Sequence, residues 1–272
     1  MITKKKIKKL INQCLGLLGY KVVKKEYIHL DYTNLNENIK FLQKKNHPII
    51  FDLGANRGQS IKRFKKIFPY SKIYSFEPIE EFIKELTATY NNDESIILNN
   101  CAVGDINGKL KFNQYTASGL SSFNNVISST KWIDERIDKN KEKLVKQFDS
   151  EIVTLDDYCF KNNINSINLL KIDVQGYESK VLKGAINLLK SSNIDIIELE
   201  IHHDEIYENT LNIYDLEKYL IPNKYKLFSI SNGGSLVFHD TFKYEVLYIS
   251  NKIYQNYKEN FKTKKFWVLN KS

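Results

Sequence analysis

The sequence predicts an α/β fold on a mainly parallel sheet that closes with antiparallel strands, and three observations carry that prediction. Residues 49–52 are an apolar run ending in Asp52; a turn punctuated by Gly54 and Gly58 follows, and then a segment of helical periodicity. Residues 72–77 form a second short apolar strand that ends in Glu77 and is stopped by Pro78. From Pro48 onward, strand-like and helix-like segments alternate, as in successive βαβ units.

In chain order, residues 3–18 place Ile7, Leu10, Ile11, Cys14, Leu15 and Leu18 on one stripe with lysines opposite, which predicts a basic amphipathic helix. Residues 20–27 then predict a short strand and 36–45 a second helix. Further strands are expected at 49–53, 72–76, 96–103, 109–114, 152–154, 167–173, 194–201, 225–230, 235–239 and 244–250. Helices are expected at 58–67, 79–91, 155–161, 178–190 and 212–221. Residues 116–150 fit neither template. Ser118, Gly119, Ser121, Ser122, Asn124 and Asn125, followed by a lysine-rich segment of helical character, predict a loop insertion, either a lid or substrate-binding element or a plain surface excursion.

At 272 residues the chain has ample length for a substantial core. Four prolines, eleven glycines and 12% aromatic residues exclude large-scale disorder. No run of apolar residues is long enough for a transmembrane span. The lysine-rich start resembles a secretory signal, yet Asn12 and Gln13 break the apolar run and no small-residue cleavage site follows; a retained segment and a cytoplasmic protein are expected. Cys14, Cys101 and Cys159 are odd in number and widely spaced, which indicates neither a disulfide framework nor a cysteine zinc site.

The net charge of +9 divides unevenly: residues 1–45 carry +8, residues 252–271 carry +5, and residues 46–251 carry −4. Three regions are therefore expected: a basic amphipathic extension over 1–45, a catalytic domain over 46–251 and a basic tail over 252–272. The acidic centre argues against a nucleic-acid track beside the site. The amphipathic stripe at 3–18 suits docking on its own domain, pairing in a homodimer, or peripheral contact with an anionic membrane.

The loop after the first strand reads D-x-G-x-x-x-G over Asp52–Gly58. It lacks both the G-x-G-x-x-G of dinucleotide enzymes and the G-K-[ST] of a P-loop. Glycine serves where the backbone turns tightly or approaches a ligand, and a carboxylate ending the next strand can accept both hydroxyls of a ribose. Gly54, Gly58 and Glu77 together point to a nucleoside, most simply S-adenosylmethionine.

A third motif, LLKIDVQGYESKVLKGA at 169–185, completes a set with DLGANRGQS at 52–60, SFEP at 75–78 and AVGD at 102–105. On these motifs the chain resembles the FkbM family of S-adenosylmethionine-dependent methyltransferases over residues 48–250. The resemblance implies a class I methyltransferase sheet, Rossmann-like and seven-stranded, with its last strand antiparallel, here carrying an N-terminal helical extension. It also implies methyl transfer to oxygen, commonly on a sugar or polyketide. By motif, Asp52, Gly54, Asn56, Arg57 and Gly58 would surround the methionine half of the cofactor and Glu77 would take the ribose. Cys101, Ala102 and Val103 would flank the adenine, and Asp173 would lie beside the sulfonium. Gln175 stands where the family more often has Glu, which counts against a catalytic role for that position.

The chemistry requires a base, because the hydroxyl proton must leave during an in-line displacement. The strand at 195–201 ends in Glu198, Glu200, His202, His203 and Asp204, at the sheet edge that also holds Asp173. Histidine titrates near neutral pH, so His202 or His203 is the expected general base, with Asp173 positioning the acceptor. The same cluster could instead hold a divalent ion, which leaves metal dependence open. The expected substrate is a sugar, nucleotide-linked or part of a surface polysaccharide or lipopolysaccharide precursor. Against the alternatives, an amino-group methyltransferase of bases would carry N-P-P-Y or D-P-P-Y, which is absent. A non-catalytic nucleoside-binding module would have no need of Asp52, Gly54, Gly58, Glu77 and Asp173 together.

Overall fold

The computed structural model describes residues 11, 13–18, 20–25, 31–116, 118–125, 144–202, 207, 212–232, 243–263 and 266–271. Residues 32–254 form one compact unit; residues 1–31 and 255–272 form another.

The larger unit is built on seven strands: β2 (Ile49–Leu53), β3 (Lys72–Phe76), β4 (Ile96–Asn99), β8 (Ile167–Ile172), β9 (Ile194–His202), β10 (Lys226–Asn232) and β11 (Lys243–Ile249). Their order is β10-β11-β9-β8-β2-β3-β4. Neighbours from β4 through β9 pair in parallel, while β11 is antiparallel to both β9 and β10. Six strands thus run one way, and β11, the last of the sheet in the chain, is inserted in reverse. This is the class I methyltransferase arrangement that the resemblance implies. In such a sheet the carboxyl ends of β2 and β8 lie side by side on either side of the point where strand order reverses, which is where ligands bind.

The central strands are buried on both faces, so they read as nearly continuous apolar runs; all six residues of β8 are buried. One face packs Phe51, Leu53, Leu170, Ile172, Ile197 and Leu199 with three helical stretches. These are α4 (Leu155–Lys161), the pair α5 (Glu178–Gly184) and α6 (Ile186–Lys190), and α7 (Ile213–Leu220). The other face packs Ile50, Leu169, Ile196 and Leu247 with α1 (Leu35–Leu42), α2 (Gln59–Ile67) and the start of α8 (Asn251–Thr263). The remaining helix, α3 (Glu80–Tyr90), joins β3 to β4.

Several boundaries have local causes. Asn34 caps α1 by accepting from the Glu37 amide at 3.2 Å, and Asn212 with Asp215 forms a capping box at α7. The helix expected at 178–190 is broken at Ala185. There Gly184 lies against the Gly104 carbonyl so closely that a Cβ would sit 1.9 Å from its oxygen.

The strand expected at 96–103 divides. Ile96–Asn99 stays in the main sheet, whereas β5 (Ala102–Val103) joins a separate three-stranded sheet with β6 (Gly108–Tyr115) and β7 (Leu144–Val153). From Leu144 onward the end of the expected insertion is strand, paired antiparallel along β6. Its alternation of exposed polar residues with Phe148, Ser150 and Ile152 turned inward has the two-residue period of a half-buried strand. Of the insertion, residues 117 and 126–143 lie outside the described residues, as do the strand expected at 235–239 and residues 1–10 of the N-terminal stripe.

In the smaller unit, β1 (Tyr20–Lys25) pairs antiparallel with β12 (Phe266–Lys271). The C-terminal segment expected as a tail thus carries a strand, and much of α8 precedes it. Among the described residues, no helix is long and apolar enough to cross a membrane.

Candidate active site

The turn after β2 is shaped by two left-handed glycines with Asn56 between them. Gly54 has φ +80°, Asn56 φ +49° and Gly58 φ +84°. Gly54 also meets a steric demand, because a Cβ there would lie 2.0 Å from the main-chain oxygen of Asp173 at the end of β8. The Asp173 amide donates to the Leu53 carbonyl at 3.2 Å, so the loop and the β8 end are locked together. The Gly54 and Ala55 amides donate to the Phe76 carbonyl at 3.0 and 3.1 Å, which ties the loop to β3 as well.

Glu77, just past β3, is buried, and each of its carboxylate oxygens accepts one backbone amide. Asn56 N–H donates to Oε2 at 2.8 Å and Ile79 N–H to Oε1 at 2.9 Å. Burial pushes this carboxyl up to about 7 despite those two donors. The two bonds fix the plane of the group and leave each oxygen a second lone pair. Beside it, the Asn100 side chain donates to the Glu77 carbonyl at 3.0 Å, and the Glu77 amide donates to the Asn99 carbonyl at 3.1 Å. Cys101 follows, half-buried, with its thiol raised to about 11 by burial. Ala102 and Val103 are buried in β5, Ala102 against Ile152 and Tyr177.

The sheet registers stack the next groups in rows on a single face. Ile50, Leu169, Ile196 and Ile249 are level and form an apolar row. Two residues nearer the edge, Asp52, Lys171 and Glu198 are level with Leu247. The outermost row brings Asp173 and Glu200 together, with Glu245 opposite Glu200 on β11. Moving toward the carboxyl edge, this face thus changes from apolar to mixed charge to acidic.

Two cations balance the buried row. Lys171 Nζ lies 3.6 Å from Asp52 and 3.0 Å from Asp173. Burial alone would lower the Lys171 ammonium, but Asp173 and Asp52 outweigh it and hold it above the usual lysine range. Arg63, reaching down from α2, pairs with Glu198 at 2.5 Å. Asp52 is fully buried and is pushed up by desolvation, against the pull of Lys171 and Arg63. Among the described residues, neither Asp52 oxygen has a hydrogen-bond donor, and Glu198 Oε2 also has none. Burial of Glu245 raises its carboxyl, and Glu198 adds to the effect.

The Val174–Tyr177 turn covers the outer row. Gln175, with φ +56°, donates through Nε2 to Asp173 at 2.6 Å and to Glu200 at 3.1 Å, and its Oε1 accepts from Tyr207 at 3.0 Å. Glu178 holds the turn from below, accepting from the Val174 and Gly176 amides at 3.2 and 3.1 Å. The described part of the β6–β7 insertion reaches the same turn: Ser122 Oγ donates to the Gln175 carbonyl at 2.6 Å and Asn124 Nδ2 to the Gly176 carbonyl at 2.8 Å.

Of the residues expected to form the site, Asp52, Gly54, Asn56, Gly58, Glu77 and Asp173 surround the turn and the two strand ends beside it. Arg57 is turned the other way, exposed, paired with Glu85 and stacked over Phe82 of α3. His202 closes β9 opposite Lys243; its side chain, and all of His203, lie outside the described residues. Lys171, Arg63, Glu245 and Tyr207 are not found by reasoning from the sequence. Only Lys171 leaves a clear trace there, since a lysine inside an apolar strand is rarely buried without a carboxylate partner. The described residues bring together no group of three or more His, Cys, Asp or Glu able to hold a metal ion.

This arrangement can hold a nucleoside at Glu77 and place a carboxylate, Asp173, against the adjoining loop. Comparison with known proteins identifies the family. Residues 52–228 match the model of the methyltransferase FkbM domain. The 2-O-methyltransferase NoeI of Sinorhizobium fredii (strain NBRC 101917 / NGR234) is 26% identical over 191 residues, covering 65% of this chain and 72% of that protein. The structure of methyltransferase FkbM from Methylobacillus flagellatus KT aligns with 76% of this chain at 14% identity and a TM-score of 0.49. This chain covers 44% of that protein's length. Aeropyrum pernix fibrillarin, solved with natively bound S-adenosyl-L-methionine, aligns with 76% of this chain and 67% of its own at 11% identity and a TM-score of 0.42. With the family model matched over more than half of its length, on the sheet order described above, the chain belongs to the FkbM methyltransferase family.

Proposed function

We propose that the protein transfers the methyl group of S-adenosylmethionine to a hydroxyl oxygen of a sugar, free in a glycan precursor or nucleotide-linked. The observation that carries this reading is the lock between Gly54 and Asp173. It sets an acceptor-side carboxylate against a loop whose other end is bonded to a buried, nucleoside-competent Glu77.

The residues fit the cofactor. Glu77 is oriented by two backbone donors and keeps lone pairs for two ribose hydroxyls. Asp52 is a buried carboxylate without a hydrogen-bond donor among the described residues, below the loop that would receive the methionine half, and adds negative charge there. In this reading Cys101 would flank the adenine, with Ala102 and Val103, both buried, shaping that end from within the core. Bound there, S-adenosylmethionine supplies an electrophilic methyl group.

Asp173 then has two tasks available to it. It can accept the acceptor's proton or aim the hydroxyl while His202 or His203 accepts the proton. In both cases the Lys171 ammonium and the Gln175 amide fix its orientation. Support for oxygen as the acceptor atom comes from the relative named a 2-O-methyltransferase, and the acidic outer row is unsuited to a polyanionic backbone lying directly across it.

The test is incubation with labelled S-adenosylmethionine and a panel of nucleotide-activated sugars and oligosaccharides, read by mass. A product carrying one added methyl group on a sugar oxygen is expected. Transfer confined to nucleic acid or protein would overturn the reading.

A further inference from the structure

Gln175 sits between two carboxylates and makes four contacts at once. Its Nε2 donates to both Asp173 Oδ1 and Glu200 Oε2, its Oε1 accepts from the Tyr207 hydroxyl, and its main-chain carbonyl accepts from Ser122. The direction of the amide is chemically determined. Ionised carboxylates only accept, so the NH2 end must face them, and the oxygen end must face the hydroxyl donor. Its backbone is left-handed, and Gly176 after it, at φ +89°, would bring a Cβ within 3.1 Å of both Asn124 and the Tyr207 ring. The turn is therefore built to press this side chain between β8 and β9 while the insertion grips its main chain.

We propose that Gln175 is a positioning residue for methyl transfer: it holds the Asp173 and Glu200 carboxylates together and ties them to the β6–β7 insertion through Ser122. The inference rests on the reading of Asp173 as the acceptor-side group.

The charges around the pair explain why a neutral donor is needed. Among the described residues, Lys171 faces Asp173 from β8, Glu245 faces Glu200 from β11, and Glu178 lies beneath the turn. Asp52 and Arg63 lie one row deeper, and Tyr207 closes the outside. Among the described residues, Lys171 serves Asp173 from β8, and Glu245 and Glu178 bring further carboxylates near the pair. There an amide supplies two N–H donors and adds no charge. Ser122, itself held by the Asn124 amide, donates to the Gln175 carbonyl, so this part of the insertion and the carboxylate pair meet at one residue.

Gln175→Glu tests this with no change of shape, since it replaces the bridging donor by a third acceptor carrying charge. The new carboxyl would hold its proton above the usual range, giving stability present at acid pH and lost as the pH rises through its folded pKa. The melting temperature of the variant should therefore lie close to the wild type near pH 5, where a single O–H can serve one of the two carboxylates, and fall roughly 3–6 °C below it at pH 8. Its kcat should be at least about tenfold lower at pH 8 and recover toward pH 6, where the protonated new carboxyl again donates, with cofactor affinity unchanged. A melting difference that is the same at both pH values would overturn the proposal. This readout needs no acceptor, so it stands even if the sugar panel yields no product. Should Gln175→Glu fail to fold, Tyr207→Phe removes only the hydroxyl that holds the amide oxygen. It should lower kcat roughly three- to tenfold without changing cofactor affinity, and an unchanged kcat would overturn the proposal equally.

Discussion

The Cα of Gly54 faces the main-chain carbonyl of Asp173 with no room between them: a Cβ at residue 54 would lie 2.0 Å from that oxygen. The obstruction is backbone, which cannot rotate away as a side chain can, and φ at Gly54 is +80°, a region that L-residues rarely adopt. Gly54→Ala must therefore push the cofactor loop off the end of β8. A stability loss of at least ~2 kcal/mol is expected in denaturant unfolding, together with loss of S-adenosylmethionine binding in calorimetry. Full binding in a folded Gly54→Ala variant would show that loop and strand end need not touch.

Glu77 links cofactor binding to pH. Its folded pKa, raised by burial to about 7 from 4.5, means that the ionised form is disfavoured in the ligand-free protein. Stability from this group is fully present below pH 4.5 and is lost as the pH rises toward and past 7, on the order of 3 kcal/mol in total. Ribose hydroxyls donate to the carboxylate, so binding favours the ionised form and releases a proton. Affinity should accordingly rise between about pH 5.5 and 7.5 and level off above, with proton release measurable from the buffer dependence of the calorimetric heat. Glu77→Gln should remove the pH dependence and weaken binding, because its NH2 end must face one of the two backbone N–H donors. Glu77→Ala should lose more, each charged hydrogen bond being worth about 1.5–3 kcal/mol.

Lys171, on β8, stands level with and between Asp52 on β2 and Glu198 on β9, and it is the cation nearest Asp52. Lys171→Met keeps most of the volume and removes the charge, leaving Asp52 buried without its nearest cation. Breaking a buried pair from one side typically costs ~3–5 kcal/mol. Adding Asp52→Asn should restore a large part of that loss, and urea titrations of the two single variants and the double variant would measure the coupling. Additive losses would show that Asp52 and Lys171 do not depend on one another.

How far the sequence discloses this molecule depends on the range of the interactions involved. The strand–loop–helix at 49–67 and the carboxylate at Glu77 are legible because each is set by neighbours within a few residues, through an apolar period, two glycines and a proline. Of β7 only the end at 152–153 is legible; the rest is hidden, because its outer face is polar and its partner β6 lies across an insertion. The division between Asn99 and Ala102 is hidden for the same reason: which sheet a two-residue strand joins is decided by Ile152 and Val153, some fifty residues away. The row Asp52–Lys171–Glu198 depends on registers between three strands, and no single stretch of sequence contains it. Gln175 stands out in the sequence only as a departure from the family pattern. Its four contacts reach residues 122, 173, 200 and 207, so only the folded chain reveals its place.

Catalysis itself is tested at Asp173. Its carboxylate is half-buried, bonded to Lys171 and Gln175, and set against the cofactor loop through its own backbone. Asp173→Asn preserves the size of the side chain and removes the charge that would accept or direct the acceptor's proton, while leaving Glu77 and the glycine turn untouched. Turnover should fall by about 10² to 10⁴, the usual effect of losing a general base or its partner, with S-adenosylmethionine affinity within a factor of about two of wild type. His202→Ala and His203→Ala, assayed alongside, assign the proton. A loss at one histidine equal to that at Asp173 makes the histidine the base and Asp173 its orienting partner, whereas full activity in both variants leaves Asp173 as the base. Repeating the wild-type assay with a chelator separates a metal-assisted route, which would lose activity on chelation alone. Full turnover in Asp173→Asn would remove the acceptor from this edge of the sheet altogether.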